Sequence, residues 1–168
     1  MRSRTPFHVV ALVAVVLAAA AARAADTPKP AMSAANAADL KWVPADALPP
    51  GAMMAVIHQN PASGAVDFLM KVSSDYRVPP HWHTPNELVT VIDGTFITDS
   101  AGMKHTLTKG GYMYLPGKTP HEAWCKGGCM LLVSGDGPFD VNYLNPADEP
   151  ATYKAMKEKA AKEKQENK

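Results

Sequence analysis

Cysteine is scarce in this chain, two residues in 168, and neither sign of charge dominates, with 17 basic side chains against 16 acidic ones. The near balance argues against a polyanionic partner. Nucleic-acid binding needs a clustered basic face, and the one dense basic stretch is the C-terminal run, where lysines alternate with Glu158, Glu163 and Glu166 and read as a solvated helix. Long apolar runs are equally few. Val9–Ala22 is unbroken for fourteen residues, short of the roughly 20 a membrane helix needs, and no second candidate follows. A helical apolar period is missing from the middle of the chain, which disfavours a helix bundle.

The apolar run has a different use. Arg2 and Arg4 precede it and Ala22-Arg23-Ala24 follows it as a small-x-small cleavage site, so residues 1–24 are predicted to be a secretory signal peptide, with an uncleaved anchor as the alternative. Ser3 separates the two arginines, which argues against a twin-arginine signal. Cleavage removes Arg2, Arg4 and Arg23 and no acid, so the 17 basic side chains fall to 14 against 16 acidic ones. The expected location is periplasmic or secreted, with no membrane attachment after cleavage. Residues 25–39, rich in Ala, Pro and small polar side chains, read as a flexible leader.

Order is expected over residues 40–150. Trp42, Val43 and Leu48, bracketed by Pro44 and Pro49-Pro50-Gly51, suit an extension lying across the outside of a sheet. Short apolar runs then recur at close intervals, among them Met53–His58, Val66–Val72, Glu87–Ile92, Tyr112–Leu115, Glu122–Cys125 and Met130–Ser134, nearly all separated by Gly, Pro, Asn or Asp. This pattern predicts an all-β antiparallel sandwich or barrel. Tight turns are expected at Asp93-Gly94 and Ala101-Gly102, where glycine takes positive φ at no steric cost. Residues 151–168, dominated by Ala, Lys and Glu, read as a short charged helix or tail.

What the chain does have is a set of metal-type side chains at close spacing. His81 and His83 are two apart and so share one face of an extended segment, about 6.6 Å apart along the backbone. Glu87 has the same parity but lies too far along a straight strand. Thr84-Pro85-Asn86 offers a bend that returns it toward the histidines. His121 is delivered from another strand by Pro116-Gly117-Lys118-Thr119-Pro120. Three imidazoles and one carboxylate suit one divalent ion, with Mn, Fe, Ni, Zn and Cu all compatible. His58 and His105 are assigned no such role, and Trp82 is expected to face away from the ligands.

These residues resemble the two sequence motifs of the cupin superfamily. The first, His-x-His, three residues, Glu, six residues, Gly, is matched by His81, His83, Glu87 and Gly94, and the second by Gly110, Pro116 and His121. The resemblance covers residues 53–144 and implies a small single-domain exported cupin. Its fold would be a double-stranded β-helix, or jelly-roll, barrel of six to eight strands around one divalent metal, with an N-terminal extension and a short C-terminal helix. Three positions depart from the pattern. Asp75 replaces a usual glycine, Gly117 stands one place before the usual second-motif glycine, and Cys125 replaces a usual asparagine.

Cys125 and Cys129 flank Lys126-Gly127-Gly128, and in an exported protein an even count favours a disulfide, here across a short hairpin. A reduced redox pair, or Cys125 as an extra soft ligand, are the alternatives. The methionines Met53, Met54, Met70, Met103, Met113 and Met130 lack Met-x-Met clustering and read as core filler rather than a copper site.

Three functional classes remain. One is a metal-dependent dioxygenase acting on a small chelating substrate, with Glu87 as a proton shuttle and Phe68, Met70, Tyr112, Tyr114 and Leu131 shaping the pocket. The second is a non-catalytic metal- or ligand-binding or sensory cupin, and the third an isomerase or epimerase. A small-molecule ligand and a homodimer are expected partners.

Overall fold

The computed structural model describes residues 34–166. The expected signal peptide at 1–24 and the leader up to residue 33 lie outside the described residues. The strands are β1 (Val43–Pro44), β2 (Ala52–Gln59), β3 (Val66–Val72), β4 (Tyr76–Trp82), β5 (Glu87–Ser100), β6 (Met103–Leu107), β7 (Tyr112–Leu115), β8 (His121–Gly135) and β9 (Asn142–Tyr143), followed by the helix α1 (Ala151–Glu166). Every pairing is antiparallel, and the sheet curls into a double-stranded β-helix barrel.

β8 organises the barrel because it changes partner along its length. Its first part pairs with β4 on one side and with the second half of β5 on the other. Its last part pairs with β3 and with the first half of β5. Between the two lies a bulge, since Thr95 faces Lys126 while Gly94 faces Cys129. Gly127 and Gly128 take φ of 82° and 90° there, a region open to glycine and costly for other residues. The period-2 alternation then sends Phe68, Val89, Val91, Leu131 and Val133 into the interior, where each is 6% exposed or less. Full burial of such a side chain stabilises the fold by about 1.5–3 kcal/mol.

Two expected turns are continuous strand instead. Asp93-Gly94 is no hairpin turn, because β5 runs straight through it, and Glu122–Cys125 and Met130–Ser134 form one strand instead of two. The glycines serve a crossing instead. A Cβ on Gly94, at φ 87°, would sit 2.3 Å from the Gly128 carbonyl oxygen and 3.0 Å from the Cys129 Cα. Close approach of two bulged strands looks like a turn in sequence, since both need Gly. Ala101-Gly102 is a tight turn, with φ of 53° and 81° between Ser100 and Met103.

Cys125 and Cys129 are joined by a disulfide. It closes the bulge within one strand, not the two arms of a hairpin. Asp75 and Lys118 both have positive φ, 55° and 64°. They occupy the two places where the motif pattern carries glycine, so the backbone has kept the left-handed conformation after losing the residue that favours it.

α1 has no buried residue. It is tied to the barrel through Tyr153, whose hydroxyl accepts from the Val141 amide at 3.2 Å, and through a Lys157–Glu149 ion pair at 2.8 Å. No helix among the described residues is long and apolar enough to cross a membrane.

Candidate metal centre

His81, His83, Glu87 and His121 are the only buried histidines or acids among the described residues, each 8% exposed or less. β4 carries the first histidine at its end and the second just beyond it, and β5 and β8 open on Glu87 and His121. His81 sits directly opposite His121 in the β4–β8 pairing. The imidazole rings converge, with centroids 4.9, 4.2 and 5.2 Å apart, and one donor nitrogen from each lies within 4.8 Å of the others. Glu87 stands just outside that mutual set. Its Oε2 is 3.6 Å from Nε2 of His83 and 3.3 Å from Nε2 of His121.

The orientation of the rings is fixed from behind. Nδ1 of His81 meets the Pro79 carbonyl at 2.7 Å, Nδ1 of His83 the Asp140 carbonyl at 2.5 Å, and Nδ1 of His121 the Thr119 carbonyl at 3.1 Å. A carbonyl can only accept, so Nδ1 bears the proton and Nε2 presents a lone pair to the centre. Three lone pairs and a carboxylate oxygen therefore point at one another. Nε2 of His83 and Oε2 of Glu87 are buried with no hydrogen-bond partner. Such an arrangement is costly by itself and is satisfied by a cation, so the donor set fits one divalent ion.

Electrostatics follow from the same crowding. Burial, reinforced by His121 and His83, pushes the His81 imidazole down from 6.5 to about 3. Burial pushes Glu87 up, but its contact with His121 and the charges of His83 and the other imidazoles outweigh this and hold it below the ordinary range.

The bend that returns Glu87 is held by two acids that sequence reading passed over. The Thr84 amide donates to Asp140 at 2.7 Å and its hydroxyl to the other carboxylate oxygen at 2.6 Å, while the Asn86 amide donates to Asp136 at 3.0 Å. Asn86 Oδ1 accepts from the Gly117 amide at 2.8 Å, and the Lys118 amide donates to the His83 carbonyl at 2.7 Å. Gly117 has no room for a side chain, since a Cβ there would lie 2.6 Å from the Thr84 carbonyl oxygen. The loop before His121 and the loop that carries Asp136 and Asp140 thus both lock onto the same bend. Phe139 was also missed, and it stacks on His83 with centroids 4.4 Å apart and planes at 29°. Its sequence signal is its place between Asp136 and Asp140 in a loop, which does not distinguish it from solvent-facing residues.

The site opens into an interior cavity of about 110 Å³. Phe68, Met70 and Leu131 line it, whereas Tyr112 and Tyr114 do not. These tyrosines are 56% and 52% exposed on the outer face of β7. Strand parity is the reason, because Met113 packs inward and its neighbours on either side must point out. Trp82 has the opposite parity to His81 and His83 and is partly exposed, and His58 and His105 are exposed. Cys125 faces the cavity with its sulfur committed to the disulfide, which leaves no thiolate to act as a soft ligand.

The sequence profile of the ChrR cupin-like domain matches residues 30–139. No curated protein matches the chain. Among solved structures, the polyketide cyclase RemF from Streptomyces resistomycificus is 19% identical with a TM-score of 0.59, over 75% of this chain and 94% of that one. A candidate acetylacetone dioxygenase from Methylibium petroleiphilum PM1 is 18% identical with a TM-score of 0.59, over 73% and 87%. KdgF from Halomonas sp. is 18% identical with a TM-score of 0.52, over 60% and 92%. At such identities the likeness is one of fold.

Proposed function

Because the chain belongs to the family of ChrR cupin-like domains, we propose that it is an exported mononuclear metal-binding cupin acting as an oxygenase on a compact, largely apolar chelating molecule. The observation that carries the reading is the pair of buried, partnerless atoms, Nε2 of His83 and Oε2 of Glu87, aimed at the nitrogens of a three-histidine cluster. A divalent ion at this site supplies Lewis acidity toward an enolate or diol and a route for substrate electrons to oxygen. The donors accept Mn, Fe, Ni, Zn or Cu alike.

The chain's own residues supply orientation, exclusion of water and one proton. Carbonyl tethers on Nδ1 hold the three rings in place. Glu87, the one buried carboxylate among the described residues, is the group on hand to take the proton of a chelating hydroxyl. Walls of Phe68, Met70, Val89, Leu131 and Val133 keep bulk water from the reacting atoms. A cavity of about 110 Å³ is smaller than the roughly 150 Å³ apolar cavity that takes up benzene. It suits a short diketone or similarly small chelator and is too small for a three-ring flavonol. The name of the Methylibium relative points to a ligand of that class. Tyr76, the wall residue with a hydroxyl, already donates it to the Pro49 carbonyl, so the wall offers a sugar little to bind, which weighs against an isomerase or epimerase.

A non-catalytic ligand-binding or sensory role is the second reading. It is favoured by the absence, among the described residues, of any buried histidine or acid outside the four named. Export is supported by the N-terminal apolar run and by the disulfide, a bond typical of oxidising compartments.

Elemental analysis of protein purified from its native compartment is expected to find one divalent ion per chain. Oxygen uptake with short diketones then separates the two readings. Substoichiometric metal with no uptake on reconstitution overturns the metal reading; a tightly held ion with no oxygen consumption across metals and substrates favours the binding role.

A further inference from the structure

One wall of the cavity is a strap, residues 45–50, between β1 and β2. Ala45, Asp46, Ala47 and Leu48 line the cavity. The strap has little structure of its own, with a Leu48 amide to Ala45 carbonyl turn at 2.8 Å and an Ala45 amide to Ala52 carbonyl bond at 3.0 Å. Of these residues only Ala45 is buried.

What fastens it is a set of side-chain hydroxyls from the barrel. Tyr76 on β4 donates to the Pro49 carbonyl at 2.5 Å and Tyr143 on β9 to the Ala47 carbonyl at 2.9 Å, with a longer contact of 3.4 Å from Thr152 of α1 to the Asp46 carbonyl. The strap ends at Pro49-Pro50-Gly51, and Gly51 has φ of 111°, a conformation that confines the bend to one residue. Tyr143 connects this fastening to the histidines. It pairs with His81 across β4 and β9, and the two rings lie 6.0 Å apart.

We propose that residues 45–50 are the door through which ions and small ligands reach the cavity, and that Tyr143 is its latch and a positioning residue for His81. Opening breaks the hydroxyl–carbonyl bonds and lifts Ala45 and Leu48 from the cavity, while the β5–β8 core stays paired. A segment held by so few bonds opens locally at a small fraction of the cost of global unfolding. The door rests on the binding reading above for its biological use, but its motion does not depend on an ion.

The test uses Tyr143→Phe in the full chain, a change that keeps the ring beside His81 and removes the hydroxyl. Thr152→Ala serves as a second, milder variant. After chelation, the protein is treated with diethyl pyrocarbonate, which carbethoxylates neutral imidazole, and each histidine is followed by peptide mass spectrometry. His58 and His105, both exposed, are internal controls. The expected result is a tenfold or greater acceleration at His81, His83 and His121 in Tyr143→Phe, a smaller one in Thr152→Ala, and none at the controls. Amide exchange at Leu48 rises in step while β5 and β8 stay protected. Unchanged labelling of the three buried histidines, or acceleration accompanied by equal loss of protection in β5 and β8, overturns the proposal. In the ion-loaded protein, uptake and release of Co(II) rise together by the same factor with Kd unchanged, whereas a shift in Kd alone overturns the latch. Failure of any ion to bind sinks the metal reading only, because carbethoxylation requires no ion.

Discussion

Oε2 of Glu87, the first residue of β5, lies 3.3 Å from Nε2 of His121, the first residue of β8. Two strand openings thus bring an anion and a lone pair together inside the barrel, a contact that gains only when a cation or proton lies between them. Glu87→Gln is therefore expected to act mainly on the loaded form. Ion affinity falls at least tenfold, while the ion-free protein changes little in melting point or loses a little. Calorimetry with and without added ion reads both, and equal destabilisation of both forms contradicts the account.

The double substitution His81→Ala, His83→Ala is expected to abolish ion content while leaving the far-ultraviolet circular dichroism of the barrel intact. Elemental analysis after desalting measures it. Retention of a stoichiometric ion would place the binding site elsewhere.

Acid is expected to destabilise the ion-free protein. The His81 pKa is depressed to about 3 in the fold against 6.5 in the open chain, so between these values the unfolded state binds more protons. Stability is full above pH 6.5 and falls steadily toward pH 3. Glu87, also lowered, acts in the same direction below its ordinary range. Urea midpoints of chelated protein at pH 7 and pH 4.5 check the sign, and a flat or inverted profile refutes it.

Gly94→Ala is expected to cost about 2–4 kcal/mol, the sum of a forced positive φ and a backbone clash at the Gly128 carbonyl. Gly102→Ala meets nothing within 4 Å and is strained by its φ of 81° alone. It should therefore cost about 1–2 kcal/mol. Equal losses in chemical denaturation would remove the crossing from the explanation.

Replacing both cysteines by serine is expected to lower stability by about 2 kcal/mol, as loop-closure entropy predicts for so short a bridge. Intact-mass analysis of the unreduced wild type should show no alkylation, even in denaturant. Incorporation of alkylating reagent before reduction would mean the thiols are free.

The buried cluster was legible because metal-type side chains stand at particular spacings in the sequence. His81, His83, Glu87 and His121 stood out for that reason, and strand periodicity placed most of the sheet. Contacts to backbone left no such mark. That Asp140 offers its carbonyl to His83 and its carboxylate to Thr84 depends on a chain reversal 57 residues away from His83, and any residue has a carbonyl. Glycine was ambiguous for the same reason, since Gly94 serves a strand crossing and Gly102 a turn. Tyr112 and Tyr114 were misplaced because an aromatic run such as Tyr112–Leu115 reveals its alternation but not which phase faces inward.

The acceptors behind the three imidazoles belong to Pro79, Thr119 and Asp140 through their main chain. A side-chain acceptor can be deleted by one nucleotide change, whereas a peptide carbonyl survives every substitution that leaves the local path intact. Ring alignment in this barrel is therefore insulated from drift at those three positions. Substitutions in the cavity wall can therefore change its shape without disturbing the aim of the histidines.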